Sequence, residues 1–288
     1  MESPCRWYCI YVRLNRFAAR QPPAQEGKGD SMSLSTILSE SRQYWTGRSA
    51  GYSKVNRTEL STDKREKWKS CFKNEITEHF PAIPFEELRV LDVGTGPGFF
   101  AILLCEMGLS VTAVDLTPAM LEEARRNAGN LAGQIRFLEM NAEELDFDDD
   151  SFDVIVSRNL TWNLPHPEKA YAEWSRVLRP GGLLLNFDAN WYSYLFDDDA
   201  LAAYEMDRIN SATEGIHDAN IGENFDIMEG IARRIPLSRI SRPGWDIDLL
   251  GRLGMRAEAD ESFWKKVWSR EEKINFSSTP MFIIRACI

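Results

Sequence analysis

The sequence predicts an α/β protein in which a doubly wound, mainly parallel sheet carries helices on both faces. Short apolar runs of strand length alternate with segments of helical periodicity over residues 64–188. A glycine-rich turn, Gly94–Gly98, joins one such run to the helix after it. A chain of 288 residues is too long for a minimal domain and too short for two full ones. We therefore expect one α/β domain with an appendage.

Each predicted element follows from its local pattern. Residues 64–79 carry apolar side chains at three- and four-residue spacing, which is typical of an amphipathic helix. Thr117 is the expected N-cap of a later helix, with Pro118 at its first position. The predicted helices are 64–79, 99–107, 119–127, 167–178, 200–211, 222–234 and 247–253. The predicted strands are 88–93, 110–115, 135–140, 152–157, 183–188, 255–257 and 282–286. This order predicts a Rossmann-like sheet of seven strands with the last strand antiparallel.

Two segments fall outside this core. Residues 1–31 end in a stretch rich in Pro, Gly and Gln, and we expect a disordered extension there, with Met32 as the physiological start. Residues 189–242 separate strands five and six with helical patterns. We expect them to form a helical cap over the carboxyl ends of the strands, where open α/β sheets bind ligands. The domain itself would then span residues 32–288.

The net charge of −10 is unevenly distributed, because ten acidic residues and three arginines give residues 189–234 a charge of −7. This acidic cap either attracts a cationic ligand or is a solvated outer face. The overall acidity disfavours nucleic acid as a partner, since nucleic-acid binders show a basic patch or stripe. No apolar run approaches the roughly 18–20 residues that span a bilayer. Five scattered cysteines are typical of reduced thiols, so we expect a soluble, cytoplasmic protein without a membrane partner or a metal site.

The glycine turn indicates a nucleotide-type ligand, because glycines let the backbone approach a ligand closely. The dinucleotide fingerprint GxGxxG requires a third glycine at position 99, which is Phe99. Asp92, just before the turn, would repel a pyrophosphate but suits a ligand with a cationic amino group. Asp115 ends the next strand, where an acid accepts the ribose hydroxyls. These residues describe an adenosine whose other end is cationic, and S-adenosylmethionine fits that description.

Five successive motifs resemble those of class I S-adenosylmethionine-dependent methyltransferases. They are Val90–Gly98, Val114–Asp115, Asn141–Glu143, Ser151–Ser157 and Leu178–Gly182. The small-molecule branch that includes the quinone-biosynthesis enzymes is the most similar. The resemblance covers about residues 40–188 and, less distinctly, 245–288. It implies transfer of a methyl group from the cofactor S-adenosylmethionine to a small-molecule acceptor.

The resemblance also implies which residues hold the cofactor. Asp92 and the glycine turn would hold the methionine part, Asp115 the ribose, and Arg158 or Asn159 would lie beside the methionine carboxylate. Asn141 stands where many relatives have Asp. The implied set is Tyr52, Asp92, Gly94, Thr95, Gly96, Gly98, Asp115, Leu116, Asn141, Ala142, Glu143 and Arg158, in which Leu116 would flank the adenine and the Ala142 amide and Glu143 would face its edge. Tyr52 and Trp45 either pack against the sulfonium or anchor their helix to the sheet.

Methyl transfer is an in-line displacement, for which a protein mainly supplies alignment and a dry site. A base is needed only if the acceptor must lose a proton. His166, after strand four, and Asp188, at the end of strand five, are the candidate catalytic residues. His166 alternatively only begins the next helix, and His217 on the cap is either a third candidate or a surface residue.

Other functions are open on the sequence alone. The protein could transfer a different group of S-adenosylmethionine, or bind the cofactor as a non-catalytic regulator. Asp92, the three glycines and Asp115 indicate that the cofactor is bound, which disfavours an unused site. Phe99 and Asp92 disfavour a dinucleotide dehydrogenase. The sequence identifies neither the acceptor nor the oligomeric state.

Overall fold

The computed structural model describes residues 30–218 and 225–288, and its seven strands form one sheet in the order β3-β2-β1-β4-β5-β7-β6. The strands are β1 (Arg89–Val93), β2 (Ser110–Asp115), β3 (Arg136–Glu139), β4 (Phe152–Arg158), β5 (Leu178–Asp188), β6 (Arg256–Asp260) and β7 (Phe282–Cys287). The described helices are α1 (Asp30–Leu60), α2 (Lys64–His79), α3 (Phe99–Glu106), α4 (Pro118–Ala128), α5 (Pro167–Val177), α6 (Asp198–Thr213), α7 (Phe225–Ala232), α8 (Gly244–Arg252), α9 (Trp264–Val267) and α10 (Arg270–Asn275).

The sheet is parallel except at one end. β1 pairs in parallel with β2 on one side and β4 on the other, whereas β7 runs antiparallel to both β5 and β6. The predicted seven-stranded sheet with an antiparallel last strand is confirmed. The chain leaves β1 towards β2 and returns to β4 on the opposite side. This makes the carboxyl end of β1 a topological switch point, where open α/β sheets bind ligands.

The largest difference from the predicted strands lies at the start of β5. Leu178 already pairs with Phe152, and the register shifts before Leu183 pairs with Val154. Gly181 has a φ of +73°. A Cβ on Gly182 would lie 2.6 Å from the Leu178 side chain, so the chain folds tightly on itself here. The Arg-Pro-Gly-Gly segment is therefore an irregularity within the strand and does not separate it from α5 as a loop.

Aromatic packing fixes the helices against one face of the sheet. Trp68 and Phe72 of α2 each lie with their ring centroids 4.8 Å from that of Phe100 on α3. Phe187 of β5 joins the same cluster, 5.0 Å from Trp68. Edge-to-face aromatic contacts of this kind add to the free energy gained by burial. They hold α3, and with it the glycine turn at its amino end, in one position.

The first helix lies across the glycine turn. Ser53 on α1 and Asn127 on α4 exchange hydrogen bonds between their side chains at 3.1 and 3.2 Å. The Asn127 amide also donates to the Pro97 carbonyl at 2.9 Å, which links α1 to the turn. Because α1 begins at Asp30, it crosses the boundary expected between the extension and the domain. The expected disordered extension otherwise lies outside the described residues.

The segment between β5 and β6 is helical, as predicted, with α6 and α7 in its described part. Residues 219–224, where the second cap helix was expected to begin, lie outside the described residues. The cap packs on α1 through an apolar cluster of Ile37, Trp162, Met228, Ile231 and Ile235. Across residues 30–218 and 225–288, no helix combines the length and the apolar character that crossing a membrane requires.

Candidate functional site

A cavity opens at the carboxyl ends of β1, β2 and β4, at the topological switch point and beneath α1. Its wall combines apolar side chains with a few polar groups, as small-molecule sites do. The lining residues are Leu38, Ser41, Arg42, Trp45, Tyr52, Gly94, Gly96, Asp115, Leu116, Thr117, Met120, Met140, Asn141, Ala142, Arg158, Asn159, Leu160, Asn163 and Leu164. Eight of the twelve residues assigned to the cofactor from the sequence thus lie together here: Tyr52, Gly94, Gly96, Asp115, Leu116, Asn141, Ala142 and Arg158.

The glycine turn requires glycine for two physical reasons. Gly94 and Gly96 have φ values of +70° and +52°, a region that disfavours residues with a side chain. A Cβ on Gly94 would also lie 2.7 Å from the Leu160 side chain, whereas one on Gly96 would meet the Tyr52 ring at an ordinary contact distance of 3.7 Å, so Gly96 is required by its φ alone. The backbone of the turn is therefore exposed directly to the cavity, with α1 facing it.

The Asp92 carboxylate stabilises the glycine turn and does not line the cavity. Its carboxylate accepts hydrogen bonds from the Thr95 hydroxyl at 2.6 Å and from the Ala101 amide at 3.0 Å. Burial raises the pKa of Asp92 to about 7, against the opposing effect of these two hydrogen bonds. Both hydrogen bonds end on Oδ2, which ties this oxygen to the turn and to the start of α3. The contact expected between Asp92 and the methionine part stays a prediction.

Asp115 presents a carboxylate to the cavity at the end of β2. Its Oδ2 accepts from the Gly96 amide at 2.9 Å, and its Oδ1 accepts from the Thr117 amide at 2.8 Å. Burial raises the pKa of Asp115, while the two amides favour the ionised form. Each oxygen keeps a free lone pair, so the carboxylate can accept two hydroxyl groups of a ligand. Thr117 is the N-cap of α4, as predicted, although its side chain makes no capping hydrogen bond.

Arg158 brings a buried positive charge to the cavity at the end of β4. Its guanidinium donates to Glu59 on α1 at 2.8 and 3.4 Å, and it lies 4.6 Å from the centre of the Phe99 ring. Burial disfavours the charged form, but the facing carboxylate outweighs this effect and raises the pKa of Arg158 above its ordinary value. A second cation, Lys64, lies 3.0 Å from Glu59. Glu59 takes only two of the five N–H donors of the Arg158 guanidinium, so Arg158 keeps donors for a further anion.

Three uncharged polar atoms at the cavity wall are buried without a hydrogen-bond partner. They are Ser41 Oγ, Asn159 Oδ1 and Asn163 Oδ1. A buried polar atom left unpaired costs about 1–3 kcal/mol, so such atoms indicate groups that a ligand can satisfy. Asn159 also has a φ of +55°, and its amide donates to the Phe187 carbonyl at 2.8 Å. Sequence reasoning missed Ser41 and Asn163, because neither position carries a distinctive motif.

Three further residues of the assigned set lie outside the cavity wall. Thr95 donates its hydroxyl to Asp92, and a Cβ on Gly98 would lie 3.0 Å from Cβ of Ala124, so both shape the turn itself. The Glu143 carboxylate accepts from the His166 amide at 2.7 Å and contacts its ring Nδ1 at 2.9 Å. Glu143 therefore fixes the start of α5, and the contact expected between its side chain and the adenine edge is not supported.

The two candidate catalytic residues are also displaced from the cavity. Asp188 is fully buried and accepts hydrogen bonds from Arg242 at 2.6 Å and from the Trp162 amide at 3.0 Å. Its charge is thus already compensated, and it is unavailable as a base. His166 is the N-cap residue of α5, where it contacts Glu143. His217 is exposed on the cap.

Several acidic residues of the cap accept hydrogen bonds from neighbouring parts of the protein. Asp197 accepts from the Ala200 amide at 2.7 Å and so caps α6, and Glu229 accepts from the Tyr194 hydroxyl at 2.9 Å. Asp207 accepts from the Ser278 amide at 2.8 Å. No acidic residue in the described part of the cap lines the cavity. Of the two interpretations of the charge, the solvated and structural face is favoured over attraction of a cationic ligand.

A larger open cleft lies between α2 and the strands β6 and β7, near the amino end of β5. It is far from the carboxyl ends at which α/β sheets bind ligands. Its charged side chains are largely paired, with Arg285 donating to Glu75 at 2.5 and 2.7 Å. The cavity beneath α1 is therefore the candidate active site.

Residues 91–186 match a protein family described as a methyltransferase domain. A demethylmenaquinone methyltransferase from Clavibacter sepedonicus is 33% identical over 139 residues, which cover 48% of this chain and 53% of that protein. Another from Thermus thermophilus is 41% identical over 99 residues, covering 34% of this chain and 45% of that protein. The chain therefore spans about half the length of the curated relatives that it matches.

A solved structure supports the fold. A putative sarcosine dimethylglycine methyltransferase from Galdieria sulphuraria has a TM-score of 0.51 to this chain at 16% identity, covering 76% of this chain and 83% of that one. The predicted Rossmann-like fold is confirmed, and residues 91–186 carry the expected similarity to the methyltransferase domain family. Helix α1 and the cap lie outside the matched residues 91–186, although α1 provides part of the cavity wall.

Proposed function

We propose that this chain, whose residues 91–186 match the methyltransferase domain family, is an S-adenosylmethionine-dependent methyltransferase that acts on a small molecule. One observation carries the proposal. A carboxylate (Asp115) and a guanidinium (Arg158) end the two strands that flank β1, so they lie on either side of the glycine turn in one cavity. This arrangement suits a ribose on one side and an amino-acid carboxylate on the other.

The residues at the cavity wall fit S-adenosylmethionine. Asp115 would accept the ribose hydroxyls, and Arg158 would bind the carboxylate of the methionine part. The unpaired Asn159 Oδ1 would accept from its ammonium group. The adenine would lie among apolar side chains, with the edge of the ring towards the Ala142 amide; these side chains are Leu116, Met120, Met140 and Leu164. Asn141, whose Oδ1 already accepts from the Glu143 amide at 3.1 Å, would have only its amide nitrogen free for the ring.

When bound, S-adenosylmethionine supplies a methyl group that its sulfonium has already activated. What remains for the chain is to align the reactants and to exclude water. Helix α1 covers the cavity, and its Trp45 and Tyr52 rings lie 5.8 Å apart at the wall. Aromatic faces within about 6 Å attract a cation, so these two rings suit the sulfonium. No general base enters this proposal, since Asp188 and His166 are both engaged elsewhere.

The proposal extends to the acceptor, the location and the partners of the protein. A small-molecule acceptor, a cytoplasmic location and the absence of a nucleic-acid or membrane partner remain predictions from composition and charge. The division into an extension over residues 1–31 and a domain over 32–288, with its cap at 189–242, also remains a prediction. The relatives named demethylmenaquinone methyltransferase favour a small organic acceptor.

Titration calorimetry tests the cofactor assignment. We expect S-adenosylmethionine and S-adenosylhomocysteine to bind and NAD to bind far more weakly. Binding of NAD without binding of S-adenosylhomocysteine would contradict the proposal. Incubation of the protein and a metabolite extract with methyl-labelled cofactor then separates the remaining alternatives. Label in a product indicates methyl transfer. Turnover with no label in a product indicates transfer of another group, and binding without turnover indicates a regulator.

A further inference from the structure

We infer that the methyl acceptor presents an uncharged nitrogen that carries hydrogen, and that Asn163 orients this nitrogen towards the cofactor. The inference rests on the proposed function and specifies its acceptor. Two observations carry it. The side-chain oxygen of Asn163, a residue of the cavity wall, is buried without a hydrogen-bond partner, and no described residue of the wall is placed to remove a proton.

Asn163 lies where the cavity meets the cap. It ends a single helical turn, Thr161–Asn163, directly after β4, and its side chain lines the cavity while only 8% of the residue is exposed. The neighbouring Trp162 ring lies 5.0 Å from the ring of Tyr192, which belongs to the cap. Trp162 also packs against Ile231 of α7. Asn163 therefore belongs both to the cavity wall and to a turn that packs against the cap.

The turn that carries Asn163 is fixed in place. The Asn186 amide donates to the Thr161 hydroxyl at 2.7 Å, and the Trp162 amide donates to Asp188 at 3.0 Å. Asp188 is in turn held by Arg242 at 2.6 Å. Asn163 Oδ1 thus has no protein partner, and the fixed turn leaves it little freedom to find one. A buried side-chain oxygen without a hydrogen-bond partner is unfavourable. We therefore expect a ligand that donates a hydrogen bond to Asn163 Oδ1.

The ionisable groups of the described wall exclude an acceptor that needs a base. Arg42 and Arg158 are cations, and Tyr52 carries a phenol. The Asp115 carboxylate already binds two backbone amides and lies at the ribose position. An alcohol or a phenol must lose its proton to become a good nucleophile, whereas an uncharged amine attacks with a lone pair that is already available. An anionic acceptor would also be repelled by the partial negative charge of the Asn163 side-chain oxygen.

The transfer then needs no proton acceptor on the protein. The nitrogen lone pair forms the new bond to the methyl carbon while the carbon–sulfur bond breaks, and its electron pair goes to sulfur, which loses its positive charge. The nitrogen becomes cationic, and its proton passes to solvent once the product leaves. Asn163 Oδ1 accepts the N–H before attack, which turns the lone pair towards the methyl group. The same hydrogen bond strengthens as positive charge develops on nitrogen.

Matched small probes test the nature of the acceptor atom. The protein is incubated with S-adenosylmethionine carrying a ¹³C-methyl group and with aniline, phenol or thiophenol, and the ¹³C shift of the product identifies the methylated atom. We expect N-methylaniline as the main product. Methylation of phenol or thiophenol at an equal or higher rate, or no transfer to aniline, would overturn the inference. The proposed function fails separately, if S-adenosylhomocysteine does not bind at all.

A binding measurement tests Asn163 without turnover. Calorimetry on the complex with S-adenosylhomocysteine compares aniline with N,N-dimethylaniline, which has no N–H. We expect wild type to bind aniline at least tenfold more tightly and Asn163→Leu to lose this preference. Asn56→Leu is the matched control, because Asn56 is also buried with an unpaired Oδ1 but does not line the cavity. Asn163→Ser replaces the leucine variant if that one does not fold. Equal affinities in wild type, or an undiminished preference in both Asn163 variants, would refute the assignment.

Discussion

The guanidinium of Arg158 lies 2.8 Å from the carboxylate of Glu59, so the end of β4 is joined directly to the last turn of α1. Lys64, at the start of α2, contacts the same carboxylate at 3.0 Å and also pairs with Glu272. These charges alternate in sign and all are at least three-quarters buried. The helix that covers the cavity is therefore anchored at one end to the residue proposed to bind the carboxylate of the cofactor.

Arg158→Met should weaken binding of S-adenosylhomocysteine selectively. Loss of a charge-assisted hydrogen bond costs about 1.5–3 kcal/mol, or roughly 10- to 150-fold in affinity. Methylthioadenosine lacks the amino-acid part, so its affinity should change little. Calorimetry with both ligands measures the difference. Arg176→Met is the control, because Arg176 is paired with Glu173 at 2.8 and 2.9 Å away from the cavity. An equal loss for both ligands would argue against the carboxylate contact.

Asp115→Ala should weaken binding of both S-adenosylhomocysteine and adenosine. The carboxylate is the acidic group at the proposed ribose position, and its loss should cost about 1.5–3 kcal/mol for each ligand. Asp153→Ala is the comparison, since Asp153 is a carboxylate bound to Arg89 at the opposite end of the sheet. It should lower stability without changing affinity. Unchanged adenosine binding in Asp115→Ala would refute the ribose assignment.

Asp92 predicts a dependence of stability on pH. Burial raises its pKa to about 7, whereas an unfolded aspartate has a pKa near 3.9. Between these values the folded protein holds one more proton than the unfolded chain, so this contribution to stability is present below about pH 4 and is lost as the pH rises to about 7. Each pKa unit corresponds to about 1.4 kcal/mol.

Urea denaturation at a series of pH values from 5 to 8 checks this. The free energy of unfolding should fall with pH more steeply in wild type than in Asp92→Asn, which cannot ionise. Parallel pH profiles for the two proteins would show that the Asp92 carboxyl does not titrate in this range.

Arg242→Met should be among the most destabilising substitutions. Arg242 binds Asp188 at 2.6 Å and Asp246 at 2.7 Å, and all three side chains are fully buried. Removal of the cation leaves buried carboxylates without a partner, which costs about 3–5 kcal/mol of unfolding free energy. Chemical denaturation measures the loss. Arg256→Met, at an exposed position on β6, should change stability by no more than about 0.5 kcal/mol.

Asp188→Asn separates this structural role from a catalytic one. The asparagine keeps an acceptor for the Trp162 amide, so binding of S-adenosylhomocysteine should be that of wild type while stability falls. A large loss of the methyl-transfer rate with unchanged stability would instead return Asp188 to the active site.

Local patterns were enough to predict most of the fold and part of the site. β2 has the predicted bounds, because a strand between two turn signals depends only on its neighbours in sequence. Gly94 and Asp115 likewise lie at the cavity because strand ends in a parallel sheet meet at one edge. The role of Asp188 depends instead on Arg242, which is 54 residues further along the chain, at the far end of the cap. No local pattern reveals that contact.

The same limit applies to the residues that were missed or misplaced. Glu143 was assigned to the adenine edge, but His166, 23 residues later, takes its carboxylate. Ser41 and Asn163 carry no motif, and their importance lies in a partner that the folded chain does not provide. Polar atoms without partners can be found only once the whole surroundings of each atom are known.

The position of β7 has a consequence for the order in which the strands of the sheet can pair. β7 is the last of the seven described strands in sequence, yet it lies between β5 and β6 and is the only one of them with which β6 pairs. β1 to β5 can pair with one another before the later strands are in place, but β6 has no described partner in the sheet until β7 has paired with β5. Until then the edge of β5 is open to pairing with other chains. Truncation of the chain before residue 282 would therefore remove an interior strand of the sheet and leave β6 without its described partner.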